Sequence, residues 1–231
     1  MIFLKQTNLE NLKNLLKLFL MMDVEETAFS PLIVQHPIFV NGDYFDEKGN
    51  HLSVLEPEGL EKMRQNTIKR IEKCEDSIEC MLIMRKAYYM TFLKFAINDL
   101  SKDDFSTLLE YAWTVSEAPN NDVNVSQSDV LRWFKNANKE KLMNKEDYAK
   151  YLNFPDSITV YRGVGSKSRE DGISWTIDKK TAIWFANRFS SKGYVLQGVV
   201  EKDDILAFFN DRNESEIIVS PKKVKEKIKL P

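Results

Sequence analysis

The chain is poor in the residues that most often announce a function. It has two cysteines, Cys74 and Cys80, and two histidines, His36 and His51, in 231 residues. Two cysteines at this spacing make neither a disulfide framework nor a CxxC redox motif. On a helical pattern they fall off each other's face, so free core thiols in a reducing compartment are expected. Without clustered cysteines or an HxxxH spacing, no metal site is expected. Surface or hydrogen-bonded structural histidines are the expectation. Neither sign of charge prevails: 33 Lys and Arg stand against 35 Asp and Glu, a net charge of −2. That excludes a broad field for nucleic acid or an anionic membrane. A long apolar run is missing too. Leu15 to Met22 is broken by Lys17, is too short to span a bilayer, and lacks a signal-peptide cleavage pattern. A cytoplasmic protein bound to neither membrane nor nucleic acid is expected. The basic stretch Lys222 to Lys229 reads as a solvated tail.

What the sequence does have, over its first two-thirds, is helical periodicity. Thr7-Asn8-Leu9-Glu10 has the form of a capping box with Thr7 as N-cap. Leu9, Leu12, Leu15, Leu16 and Phe19 then recur at helical spacing, to about Asp23. Between Pro31 and Leu55 short apolar runs and the turn signal Asp46-Glu47-Lys48-Gly49-Asn50 predict a hairpin or ordered loop. Pro57 suits a first helical turn. Leu60 through Ala96 then gives one long helix, or two with a break near Glu75-Asp76-Ser77. Ser101 caps a helix through Trp113. Another covers about Ser128 to Ala137, and Asn144 caps a last short one. The stripes are wide and aromatic-rich, which predicts a bundle core.

After Pro155 the period changes from helical to alternating. Ser157 to Val164, Gly172 to Thr176, Tyr194 to Val200, Ile205 to Phe209 and the run after Asn213 read as strands. Asp178 caps a helix carrying Phe185 and Phe189. Two regions follow from the change of period: residues 1–155, helical, and residues 156–231, mixed. Near the end, Asn213-Glu214-Ser215-Glu216-Ile217-Ile218-Val219 sets two carboxylates at the mouth of a β-branched run. On a strand, Glu214 and Glu216 point to one face. Two like charges there repel unless a cation, an arginine or a developing positive charge uses them. The alternative is an exposed edge protected by charge.

The order Tyr161-Arg162-Gly163, Ser174-Trp175-Thr176, Glu214-Ser215-Glu216 resembles the arginine-type (R-S-E) mono-ADP-ribosyltransferases. Their signature is an Arg strand, a Ser-Thr-Ser strand and a Glu-x-Glu strand. The resemblance covers Ile158 to about Ser220. It extends loosely to bacteriophage-encoded members with a helical segment in front. It implies an α+β protein, an N-terminal helical region followed by an ADP-ribosyltransferase-like mixed β-sandwich. The implied activity cleaves NAD and transfers ADP-ribose to an arginine of a target protein, such as one of a host cell. By the resemblance, Arg162 binds the NAD phosphates, with Tyr161 and Gly163 beside it. Ser174 hydrogen-bonds the catalytic glutamate, Thr176 shapes the nicotinamide site, Glu216 is the catalytic glutamate, and Glu214 orients the acceptor guanidine. Phe185, Phe189 and Tyr194 are aromatic candidates for nicotinamide, with core packing as the alternative. Trp175 departs from the motif and, facing away from Ser174, is expected in the core. NAD hydrolysis, or a silent module that binds NAD or a protein, are the rival expectations.

Overall fold

A computed structural model describes residues 2–46, 48–117, 119–166, 168–189 and 193–230. Glu47, inside the expected turn, lies outside these residues. The chain is α+β, and its contacts divide it into two compact units, Met1–Val125 and Ser126–Pro231.

The first unit holds α1 (Leu9–Leu20), β1 (Glu25–Thr27), β2 (Ser30–Gln35), β3 (Asp43–Phe45), β4 (His51–Ser53), α2 (Pro57–Glu72), α3 (Ser77–Ile83), α4 (Tyr89–Ala96) and α5 (Lys102–Val115). Its strands form two antiparallel hairpins, β1–β2 and β3–β4. The apolar stripes meet as a core that includes Leu12, Leu16, Ile71, Met81, Phe92, Phe105, Leu108 and Trp113, all buried. The capping box is corrected by one residue. Asn8, not Thr7, caps α1 through Asn11 N–H. Thr7 instead donates to Asp104 and accepts from the Ser101 amide, which ties α1 to the start of α5. The break after α2 also changes the cysteine geometry. Cys74 lies in the break and Cys80 on α3, both buried and free. Cys74 Sγ donates to the Arg70 carbonyl at 3.5 Å, and burial pushes the Cys80 thiol up to about 12.

The second unit holds α6 (Gln127–Asn136), α7 (Lys139–Leu142), α8 (Lys145–Leu152), β5 (Ser157–Val164), β6 (Ser174–Thr176), α9 (Lys179–Asn187), β7 (Tyr194–Glu201), β8 (Ile205–Phe209), β9 (Glu216–Val219) and β10 (Lys225–Leu230). Six strands form one antiparallel sheet in the order β10-β7-β5-β6-β9-β8. The boundary between the units therefore falls before α6, not at the change of period after residue 155. The reason is packing. Phe134 of α6 meets Phe209 with ring centroids 6.1 Å apart, and Phe154 stands edge-on to Phe208 at 5.3 Å. Lys139 donates to the Ile205 carbonyl on the same strand at 2.8 Å. The three helices are the cover of the sheet's β8 end. The basic stretch at the chain's end is corrected as well: Lys225–Leu230 is an edge strand paired with β7, mostly exposed.

Helix α9 lies on β5. A Cβ at Gly163 would come 2.1 Å from the Ala182 carbonyl oxygen and 2.5 Å from the Ala186 nitrogen. Only glycine permits backbone to approach that closely. Ala182, Ala186 and Val195 fill the space between, with Tyr161 and Leu230 packed against them. Among the described residues, no helix is long and apolar enough to cross a membrane.

Candidate active site

The ladder brings residues far apart in sequence into one row. Tyr161 of β5 is opposite Thr176 of β6, and Thr176 is opposite Glu216 of β9. Ser174 is opposite Ile218, so it stands diagonally from Glu216 while Thr176 is its direct partner. The hydroxyl expected to serve the catalytic glutamate is thus not the one placed across from it. Trp175 is buried, with its indole N–H donating to the Gly172 carbonyl at 3.1 Å.

Arg162 is the residue after Tyr161. Its guanidinium turns back on its own chain. Nε and Nη2 donate to the Arg169 carbonyl at 3.1 and 2.8 Å, and Nη1 to the Ser174 carbonyl at 2.5 Å. The loop before β6 is shaped to hold it. A Cβ at Gly172 would lie 2.0 Å from Arg162 Nη2. Burial lowers the Arg162 pKa, while the charges of Asp171 and Glu216 act in the opposite sense. Glu216 is itself only 8% exposed. A buried carboxylate thus acts on a desolvated guanidinium across this part of the sheet.

Glu214 corrects a sequence expectation. The strand begins at Glu216, so the period of two does not reach Glu214. The chain around it is a tight loop. Asn213 and Ser215 both have left-handed backbones, with φ of 56° and 47°. Asparagine tolerates this readily; serine does so at some cost, so the loop must be held by its surroundings. It is held at several points. The Glu214 carbonyl accepts from Thr176 Oγ1 at 2.6 Å. Asn210 Oδ1 accepts from the Ser215 amide at 3.1 Å and hydroxyl at 3.0 Å, and the Ser215 carbonyl accepts from Ile177 N–H at 3.2 Å. Asn210 N–H in turn donates to Asp147 Oδ2 at 2.9 Å. Asn144 Nδ2 donates to Asp147 and to Asp211, at 3.0 and 3.1 Å. Burial raises the Asp147 pKa, opposed by these donors. The Glu214 side chain faces Arg212, Nε to Oε1 3.6 Å, with a quarter of it exposed.

Other expected residues do not join this row. Gly163 lies under α9 and Phe185 is on that helix: the Phe185 Cβ is among the atoms nearest a Cβ built at Gly163, and its ring is edge-on to Trp184. Tyr161 belongs to the row by its place in the ladder, but its side chain packs in this α9 layer. Tyr194 gives its hydroxyl to Glu170, and its ring lies under Lys229 Nζ at 3.5 Å. Phe189, for which core packing was one expectation, is exposed. The structure adds Asp147, gives Gly172 the task of making room for Arg162, and ties down Asn210 and Arg212 of the polar loop 209–213, which the sequence sets just before the acidic pair as a segment facing the acceptor. Asn210 had a visible signal, an amide side chain opening a polar loop ahead of the acidic pair. Among the described residues no group of three His, Cys, Asp or Glu is placed to hold a metal. A cavity of about 360 Å³ in the first unit, lined by Arg85, Tyr88, Thr91 and Asp122 among others, includes none of these residues. No family model, no curated protein and no solved structure matches the chain.

Proposed function

We propose that the second unit is a mono-ADP-ribosyltransferase that cleaves NAD and passes ADP-ribose to an arginine of a target protein. One observation carries the reading. The strands β5, β6 and β9 are neighbours, and they set Glu216, buried, within the field of Arg162. Arg162 uses three of its five N–H donors on backbone carbonyls, which fixes the plane of the guanidinium. The other two suit a pyrophosphate, which a rigid fork recognises better than a flexible ammonium does.

Loss of nicotinamide leaves positive charge on the ribose. A carboxylate fixed in a dry place and aimed at that charge stabilises it as it forms. Glu216 is the buried member of the pair and takes that role. Glu214 is the accessible member. Its backbone is pinned while its side chain reaches solvent, and it already holds a guanidinium. That suits an acceptor-orienting group, because a guanidine stays protonated in water and needs a carboxylate to position and polarise it.

The test is incubation of the full chain with labelled NAD and a cell lysate. Label on protein together with released nicotinamide is the expected result. Released nicotinamide with no labelled protein would replace transfer by hydrolysis. Retained NAD binding with no nicotinamide would leave a silent binding module.

A further inference from the structure

We propose that Arg212 is the protein's own acceptor, a guanidine stationed at Glu214 and ADP-ribosylated within the same chain. The proposal rests on the transferase reading above. Its basis is geometric. The left-handed turn at Asn213 reverses the chain between Arg212 and Glu214, so that both side chains emerge together and pair at 3.6 Å. Asn210 and Thr176 fasten the loop on either side, through Asn213 N–H to the Asn210 carbonyl at 2.8 Å and through Thr176 Oγ1 to the Glu214 carbonyl. Arg212 therefore stays beside Glu214 without any partner molecule to bring it there, and intramolecular placement of this kind raises its effective concentration far above that of a free acceptor.

The contact is also of the right kind to be replaced. It is made through Nε, longer than a hydrogen bond, with the arginine side chain 43% exposed. A pair of this sort is weak. The terminal nitrogens, which form the glycosidic bond, are not the atoms engaged in it. In the transfer, the bond from ribose C1 to the nicotinamide nitrogen breaks and its electron pair leaves with nicotinamide. One Arg212 Nη supplies the pair for the new bond to C1. The proton it sheds passes to Glu214 and on to solvent. NAD is the sole co-reactant. The product carries a pyrophosphate beside Glu214, which repels that carboxylate and obstructs later acceptors.

The experiment is intact-mass and peptide mapping of the full chain after incubation with NAD alone, repeated over a wide range of protein concentration. In parallel, nicotinamide release and modification of a free alkylguanidine are followed for the wild type and R212K. The expected result is one ADP-ribose per chain, on Arg212, at a rate independent of protein concentration. R212K loses that adduct and modifies the alkylguanidine at a steady rate, whereas the wild type slows as its own adduct accumulates. An adduct elsewhere, no adduct while the alkylguanidine is still modified, or a rate that rises with protein concentration would overturn the proposal and leave the transferase reading standing. Absence of nicotinamide release under every condition would overturn both.

Discussion

Thr176 stands directly across from Glu216 in the β6–β9 ladder and gives its hydroxyl proton to the backbone of Glu214. One residue thereby links the backbones of the two glutamates, and its hydroxyl also accepts from the Asp178 amide at 3.0 Å at the start of α9. Thr176→Val keeps the shape and removes both hydrogen bonds from a buried position. A cost of about 1–2 kcal/mol is expected, since a carbonyl and an amide lose their partner. Transfer to a guanidine should fall by about tenfold, equivalent to 1.4 kcal/mol in the barrier, with a smaller effect on nicotinamide release into water. Denaturant titration and the two assays side by side check this. Equal loss in both assays would place Thr176 with Glu216 alone.

The acidic pair separates the two halves of the proposed reaction. Glu216→Gln leaves the volume of a buried side chain nearly unchanged and removes its charge. Nicotinamide release should drop by about 10²–10³, the scale seen when one preorganised electrostatic contact is lost. Glu214→Ala should lose transfer to arginine while sparing hydrolysis, because its carbonyl tie to Thr176 survives the substitution. Loss of both activities in Glu214→Ala, in a variant that melts like the wild type, would remove Glu214 from the acceptor role.

The sequence made much of both units legible, for identifiable reasons. The caps at Ser101, Asn144 and Asp178 stood where helices begin, because a side-chain oxygen there satisfies an otherwise orphaned amide. Trp175 was readable as core from alternation alone. Glu214 was not, since nothing in a β-branched run says where the strand starts. The left-handed residues Asn213 and Ser215 decide that, and they answer to Asn210 and Asp147 across the fold. The unit boundary was hidden for a similar reason. Period reports the type of an element, whereas membership of a unit depends on which faces meet, and α6 to α8 meet β8.

Gly172 and Arg162 give a test of the guanidinium's placement. A methyl at Gly172 would come within 2.2 Å of Arg162 Cζ, so Gly172→Ala must displace the guanidinium. The carbonyls of Arg169 and Ser174 would lose their donors. A destabilisation of about 1–3 kcal/mol is expected from the overpacking, together with a raised KM for NAD. Arg162→Lys should share the KM effect without the clash, because an ammonium cannot bridge both carbonyls in one plane. A Gly172→Ala variant with unaltered stability and KM would show that Arg162 is not fixed as described.

His36 should give the first unit an acid limit. It is 1% exposed, its Nδ1 accepts from the amides of Ile38 and Phe39 at 3.0 Å each, and Nε2 is buried with no hydrogen-bond partner. Burial lowers its pKa to about 4, aided by the charges of Arg64 and Arg85; the carbonyls of Leu20 and Met22 pull the other way but are themselves taken by Arg64. The folded pKa lies below the unfolded one, so the unfolded chain binds the extra proton. Stability is therefore complete above about pH 6.5, and is lost progressively as pH falls toward 4. Two to three pKa steps correspond to about 3 kcal/mol. Thermal melts across that range should show the slope, and His36→Gln, which keeps an acceptor for the two amides but cannot be protonated there, should flatten it. A variant with the wild-type slope would move the acid sensitivity to another group.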